Sequence, residues 1–388
     1  MSWQWINPSA TSGEAVSAFA SQDIEYCHQL SRRLLSSKDI KQFPDLVALG
    51  YWLRRSNIEH LLAPYQQGPY QCRPLGRVFH STPANVDSIF VYSSILSLLC
   101  GNLNVIRLSS RSGGSSELLV QAMLALAEEF APQNARMQLV RCDYDAPELL
   151  SVLKTADARV LWGSDASIVA QRQQPFTPHG RELSFGHKFS ICALDAKAVA
   201  ASQPQTLSKL VYDFIKDNYT FAQQACSSAK AIAWCGSSAD ITAAHAKFWP
   251  ELSSQVGQSP TRSASDLYQA EATSQALILA DNHIHSYQSQ AHFIRLGATG
   301  LTEQQLHQHG GNGVFIELSL NDLSELTPML TQQHQTLSHW GFEPHRFQCW
   351  ADAQLQLDRI VAVGQSLQFD PLWDGQDLIY SFSRLRRR

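Results

Sequence analysis

Eleven residues near the middle of the chain, TFAQQACSSAK from 220 to 230, set one thiol among small and polar neighbours. Gln223, Gln224, Ala225, Ser227 and Ser228 flank Cys226, whereas a structural cysteine usually behaves as a small hydrophobe among aliphatics. An accessible thiol in a polar turn can ionise and attack a carbonyl carbon. Taken by itself, the spacing fits a structural cysteine as well as a nucleophile.

Three loops are candidates for binding. They are Ser81-Thr82-Pro83-Ala84-Asn85, the stretch SSRSGG at 109–114, and Gly163-Ser164-Asp165. Each follows a strand-like segment, and in an open parallel sheet ligands bind beyond the carboxyl ends of the strands, where helix N-termini point. No GxGxxG occurs. An acid at the end of the second strand would suit the ribose of NAD, and a base there suits a 2′-phosphate. Here the strand NVIRL carries Arg107 at its end, Ser109, Ser110 and Arg111 follow, and no acid comes before Glu117. A bound dinucleotide would therefore be the phosphorylated one, although a solvated basic loop fits the same residues. The glycine run Gly310-Gly311-Asn312-Gly313 reads as a turn. His283 and His285 share a strand face, but no cysteine or carboxylate stands at ligand spacing, so no metal site is expected.

The elements that must hold these residues are legible in outline. Thr11-Ser12-Gly13-Glu14 matches a helix capping box, and Pro44-Asp45 opens an apolar-periodic stretch through Leu62. LGRVFH, NVIRL, MQLVR and RVLWG then read as strands alternating with segments of helical length. That alternation predicts an α/β chain with a parallel sheet covered on both faces. After residue 190 a helix is expected from Pro204, then the cysteine turn, the strand KAIAW and a polar section from Ser253 to Gln305. The strand GVFIELSL, a helix near Asp322 to Gln333, and RIVAVGQSLQF complete the pattern. The division expected is 1–190 for cofactor binding, with an arm strand near 69–82, 191–370 for catalysis, and a C-terminal segment, 371–388, that can return to the first part.

Composition narrows the function classes. The chain has 388 residues, 44% of them hydrophobic, and a net charge of −4, so nucleic acid is not expected as the main partner. The N-terminus lacks a signal-peptide pattern. The longest apolar run, Ile89 to Cys100, falls short of the roughly 20 residues that a transmembrane helix needs. Eight cysteines without a CxxC pair suit a reducing, cytoplasmic setting.

Seven stretches, in this order, resemble the LuxC-type acyl-CoA reductase family, a branch of the aldehyde dehydrogenase superfamily. They are HSTPANVDSIFVYSSILSLLCGNLNVIRL, RVLWGSD, FGHKFS, DNYTFAQQACSS, GGNGVFIELSLNDL, QTLSHWGF and VGQSLQFDPLWDG, and they lie within about residues 69 to 383. The resemblance implies an aldehyde dehydrogenase-like fold, with a Rossmann-like cofactor domain, an α/β catalytic domain and a dimerising arm. It makes Cys226 the nucleophile, preceded by Gln224, and gives the Asn85 side chain a place in the oxyanion hole. Thr82, Pro83, Arg107, Ser109, Ser110, Arg111, Gly163 and Ser164 fall where the cofactor binds, Arg107 standing in for the family's usual lysine.

Two departures bear on the chemistry. Hydrolytic aldehyde dehydrogenases keep a glutamate four residues before a lysine, where this chain has Ser184 before Lys188; the nearest glutamate, Glu182, is displaced by two. The family's ribose-binding glutamate would fall near His309 to Gly311, where none occurs. The activity implied is NADPH-dependent reduction of a long-chain fatty acyl thioester to the aldehyde through an acyl-cysteine. The acyl donor would be acyl-CoA, another acyl thioester or an acyl-protein synthetase partner, and the enzyme would be a homo-oligomer. A hydrolytic aldehyde dehydrogenase and a non-catalytic scaffold in an acyl-reducing complex are the alternatives.

Overall fold

A computed structural model describes residues 3–7, 13–82, 88–108, 114–257 and 263–388, without the side chains of Ser88 and Ile89. The chain separates into two compact units, one formed by 1–186 with 369–388 and the other by 187–368.

The first unit opens with β1 (Gln4–Trp5), α1 (Ser21–Ser36), α2 (Pro44–Trp52) and α3 (Arg55–Gln67). Ile24, Cys27, Leu30 and Leu34 recur at helical spacing along the buried face of α1. Beneath them Asp23 pairs with Arg136, both nearly inaccessible to solvent, and accepts from Gln133 Nε2 at 2.8 Å. Next come β2 (Tyr70–Pro74), β3 (Arg77–Ser81), α4 (Ser88–Leu99), β4 (Leu103–Arg107), α5 (Ser115–Leu124), α6 (Ala131–Arg136) and β5 (Met137–Arg141). The run closes with α7 (Pro147–Thr155), β6 (Ala158–Trp162), α8 (Asp165–Arg172) and β7 (Arg181–Phe185).

Among the described residues the sheet order is β1-β5-β4-β3-β6-β7, parallel throughout except for β1, which lies antiparallel on the β5 edge. Building starts at β3, runs outward through β4 and β5, then reverses through β6 to β7. This is the doubly wound order, with its switch point between β3 and β6. β4 and β6 are buried along their whole length, as the covering helices require.

The second unit contains β8 (Phe189–Asp195), α9 (Ala196–Ala201), α10 (Pro204–Tyr219), β9 (Ala229–Cys235), α11 (Ser238–Val256) and α12 (Ala264–Ala280). After these come β10 (Ile284–Gln290), β11 (Phe293–Ala298), α13 (Glu303–Gln308), β12 (Val314–Leu320), β13 (His334–Trp340), α14 (Pro344–Asp352) and β14 (Arg359–Ala362). Among the described residues the order is β10-β11-β12-β9-β8-β13-β14, with only the β10–β11 pairing antiparallel. The central strands bury both faces. Ile232 and Trp234 of β9 pack with Phe214 and Phe248 on one side, and Ala231 and Ala233 pack with Ile316 and Leu337 on the other.

The chain then returns to the first unit through the hairpin β15 (Leu372–Trp373) and β16 (Gln376–Asp377), the short α15 (Leu378–Ser381), and β17 (Ser383–Arg387). β17 pairs antiparallel with β2. Asn102 fastens this return by donating to Phe382 O at 2.9 Å while accepting from Leu75 N at 2.7 Å.

Three expectations need correction. The capping box starts no helix: Thr11 and Ser12 lie outside the described residues, and Gly13 to Ala18 run without helix to α1 at Ser21. Their N–H groups have tertiary acceptors instead, Val16 N reaching Gly101 O at 2.9 Å and Phe19 N reaching Leu99 O at 2.7 Å. The stretch from Pro44 is two helices, broken at Leu53-Arg54. Asp322 caps only a 3₁₀ turn, Leu323–Glu325, and a second turn, Thr327–Met329, follows. Pro328 sits in the first positions of the second turn and has no N–H to bond back to the first, so the two turns do not join into one helix.

Candidate active site

The turn between α10 and β9 is shaped before any thiol chemistry is considered. Ala222 and Gln223 adopt φ of 48° and 63°. For residues with a Cβ, that left-handed conformation costs about 1–3 kcal/mol each and persists only where the surroundings enforce it. They do. The inaccessible Gln223 amide donates to Ala229 O and Val314 O, both at 2.8 Å, and accepts from Gly313 N at 2.9 Å. Asn312 N donates to Ala222 O at 2.7 Å. Gly311, at φ 77°, fits against this turn because a Cβ there would stand 2.8 Å from Ala222 O. The glycine cluster therefore braces the cysteine turn. On the far side, Ser228 Oγ donates to Asp217 O at 2.7 Å and Ala229 N donates to Asn218 Oδ1 at 2.7 Å.

Cys226 sits at the crest of this turn, half-buried. Its carbonyl accepts from Ser190 Oγ at 2.7 Å, and Ser190 Oγ in turn accepts from Thr336 N. Gln335 Nε2 approaches Cys226 Sγ at 3.4 Å. The other cysteines differ in kind. Cys27, Cys72, Cys100, Cys142, Cys192 and Cys235 are buried, and burial pushes all six thiols up, Cys192 and Cys235 to about 12. Cys349 is exposed on α14. Cys226 alone is half-accessible and held by a network.

Behind the thiol lies a polar cluster that the sequence reading did not identify. Between β8 and β9 the register runs Ser190↔Ala229 and then Ile191↔Ala231, which leaves Lys230 as the extra residue of a β-bulge. Lys230 is 5% exposed. Burial drives its pKa down to about 7, and the nearby Cys226 thiolate opposes that fall. His309, also buried, accepts from Gly311 N at Nδ1, and its Nε2 has no partner among the described residues. Burial, with Lys230 nearby, holds His309 well below the usual histidine range, hence neutral at pH 7. His187 donates from Nε2 to Leu306 O at 2.8 Å, and His334, lowered to about 4 by burial, accepts from Thr331 N. The signal for Lys230 was a lysine at the start of an otherwise apolar strand.

These groups gather at the amino ends of β8, β9, β12 and β13, opposite the end at which an open α/β sheet usually binds ligands. The first unit keeps the usual end. Thr82 and Gly163-Ser164 stand at the carboxyl ends of β3 and β6, flanking the switch point. Thr82 joins neighbouring strands, its Oγ1 donating to Arg107 O at 2.8 Å. Ser164 caps α8, its Oγ accepting from Ser167 N. Trp162 stacks on Phe185 with ring centroids 4.0 Å apart. Arg107 ends β4 with its Nε donating to Cys142 O at 2.9 Å and its guanidinium 3.7 Å from the Tyr144 ring centroid. Pro83, Asn85, Ser109, Ser110 and Arg111 lie outside the described residues.

Glu182 is bound in ion pairs, with Arg159 NH2 at 2.6 Å and Arg172 Nε at 2.7 Å. Ser184 Oγ accepts from Arg172 NH2 at 3.0 Å. His283 pairs with Asp281 at 2.8 Å, and no group of three or more His, Cys, Asp or Glu that could hold a metal occurs among the described residues. Among those residues no helix is long and apolar enough to cross a membrane.

The fold is that of aldehyde dehydrogenases. A benzaldehyde dehydrogenase from Corynebacterium glutamicum matches with TM-score 0.62 at 13% identity, over 95% of this chain and 84% of that one. The methylmalonate-semialdehyde dehydrogenase of Oceanimonas doudoroffii matches with TM-score 0.64 at 12%, covering 95% and 86%. The NADP-dependent glyceraldehyde-3-phosphate dehydrogenase of Bacillus halodurans C-125, solved with NADP, gives 0.66 at 12%, covering 94% and 85%. No curated protein sequence matches the chain. Residues 53–292, which include Cys226, Lys230 and the switch-point residues, match the acyl-CoA reductase (LuxC) family model, and the chain belongs to that family of aldehyde-forming oxidoreductases.

Proposed function

We propose that the protein reduces a long-chain fatty acyl thioester to the aldehyde, with NADPH as reductant and Cys226 as the acyl carrier. The observation that carries this reading is the half-accessible Cys226 thiol, held in a left-handed turn that Gln223, Asn312 and Ser190 brace and met by Gln335 at 3.4 Å.

The first unit fits a nicotinamide dinucleotide. Its strand order creates a switch-point crevice beside Thr82 and Gly163-Ser164, the α8 N-terminus suits a pyrophosphate, and Arg107 ends the second strand where a 2′-phosphate would lie. Pro83, Ser109, Ser110 and Arg111 complete the proposed binding set. When bound, the reduced cofactor supplies a hydride to the acyl carbon.

The chain's own residues do the rest. Cys226 thiolate attacks the thioester carbon, the C–S bond to the donor breaks, and the donor thiol leaves. The Asn85 amide and the Cys226 backbone N–H receive the oxyanion, at a scale of about a hundredfold in rate for one such donor. After reduction, collapse of the hemithioacetal on Cys226 releases aldehyde and regenerates the thiolate. The donor is acyl-CoA or the acylated cysteine of an acyl-protein synthetase, and the β2–β17 arm is where a homo-oligomer would form.

The test is an acyl-CoA series with NADPH, following aldehyde and free CoA. One aldehyde and one CoA per NADPH consumed are expected. Free fatty acid in place of aldehyde would overturn the reading.

Cofactor choice gives a second expectation. NADPH should bind more tightly than NADH, and Arg107→Ala should weaken NADPH by about 1.5–3 kcal/mol, a charge-assisted contact, with little change for NADH. Fluorescence titration with both nucleotides measures this, alongside a thermal melt to register the lost contacts with Cys142 and Tyr144. Equal wild-type affinities would remove Arg107 from the site.

A further inference from the structure

We propose that Lys230 is the acid–base partner of Cys226: its Nζ takes the thiol proton and the resulting ammonium faces the thiolate. The inference rests on the assignment of Cys226 as nucleophile and supplies what that assignment lacks, a group that activates the thiol.

The argument begins with placement. Lys230 is the bulged residue of a strand otherwise composed of alanines, Ile232, Trp234 and Cys235, and it is 5% exposed. A buried ammonium is costly unless a negative group compensates it. The opposite charge that acts on it is that of Cys226, four residues earlier at the turn leading into the same strand. The other groups around the pair do not replace that partner. Gln335 on β13 is uncharged, His309 after α13 is neutral, and His187 before β8 gives Nε2–H to Leu306 O. Lys188 is occupied by Asp358 and Gln332 O.

Two groups so placed share one proton and titrate as a pair. The neutral pair converts to thiolate and ammonium by a single transfer from sulfur to nitrogen. Attack on the thioester then consumes the thiolate charge and leaves the ammonium without compensation. Lys230 accordingly passes its proton to the departing thiolate: acyl–SR, Cys–S⁻ and Lys–NH₃⁺ become acyl–S–Cys, RSH and Lys–NH₂. Atoms and charge balance with no further reactant. The braced turn fixes Cys226 relative to the strand that carries Lys230, through Gln223 to Ala229 O and Asn218 to Ala229 N.

The experiment is alkylation of full-length protein by iodoacetamide across pH, read by peptide mass spectrometry so that Cys226 and the exposed Cys349 are followed separately. The wild-type Cys226 midpoint should lie below the ordinary thiol value of about 8.5, with Cys349 as the internal reference. Lys230→Met, which fills the same space without charge, should move the Cys226 midpoint up by at least one unit, making alkylation at pH 7 about tenfold slower or more. Lys230→Arg restores a fixed charge and should bring the low midpoint back, while acylation remains slow for want of a transferable proton. A wild-type midpoint at or above that of Cys349 overturns the proposal without any variant, and so does a Lys230→Met profile that overlays wild type. Alkylation requires neither acyl donor nor reductant, so failure here leaves the Cys226 nucleophile standing. Loss of aldehyde formation is a separate question.

Discussion

Cys226→Ala is expected to abolish both aldehyde release and acyl transfer to the protein, while leaving the fold in place. Removing a covalent nucleophile deletes the route itself, not merely one contact. The fold should survive because Cys226 is half-accessible and the contact from Gln335 to its sulfur is a weak one, worth no more than about 1 kcal/mol. The turn is held by bonds of Gln223, Asn312, Ser190 and Ser228 to backbone groups, which the substitution leaves in place. The controls are chosen by burial. Cys72 on β2 and Cys142 after β5 are buried thiols, and Cys349 is exposed without a comparable network. Alanine at any of these three should leave turnover within a few-fold of wild type. The measurement is aldehyde formation with acyl-CoA and NADPH, together with intact mass after acyl-CoA alone. Retained turnover in Cys226→Ala would falsify the mechanism.

What the sequence made legible follows from the range of the physics involved. The strands RVFHS, LNVIR, MQLVR and ARVLW are short apolar segments bounded by helices, and local periodicity locates them to within two residues. Arg107 at the end of the second strand and Gly163-Ser164 opening a helix are likewise local facts. The cysteine turn was suspected from its polar neighbours, but the reason for that polarity is not local. Gln223 looks like an ordinary turn residue until Val314 O and Gly313 N, about ninety residues away, occupy its amide. Gln335 reaches the sulfur from 109 residues downstream. The glycine cluster reads as a turn in sequence, and what the sequence does not show is that the turn is a packing surface, because Gly311 must approach Ala222 O closely. Lys230 escaped for a different reason. A bulge shifts the two-residue alternation by one, so the face that a strand residue presents cannot be counted from the strand's ends. The missed break before Pro328 was a local signal read too generously.

The acyl-Cys226 intermediate is expected to persist when no reductant is present, for minutes or longer, and to disappear on addition of excess CoA. Hydrolysis as the hydrolytic relatives perform it needs a carboxylate placed to deprotonate water, whereas CoA can attack as a thiolate that forms in solution. The position where hydrolytic relatives keep a glutamate is Ser184, whose hydroxyl accepts from Arg172. The one carboxylate close in sequence, Glu182, is held by Arg159 on one side and Arg172 on the other. A carboxylate fixed between two guanidinium groups of its own unit serves the packing of β6, α8 and β7. Glu182→Gln should therefore leave the lifetime of the adduct unchanged, while loosening that ion-pair cluster enough to lower thermal stability. Intact-protein mass spectrometry after mixing with a long-chain acyl-CoA follows the adduct, and a parallel assay for free fatty acid identifies its fate. An adduct lost within seconds as free acid, and prolonged by Glu182→Gln, would show that this carboxylate activates water and would reassign the enzyme to the hydrolytic branch. An adduct that outlasts the assay in both proteins and reverts to acyl-CoA on adding the thiol marks a chain built for acyl exchange.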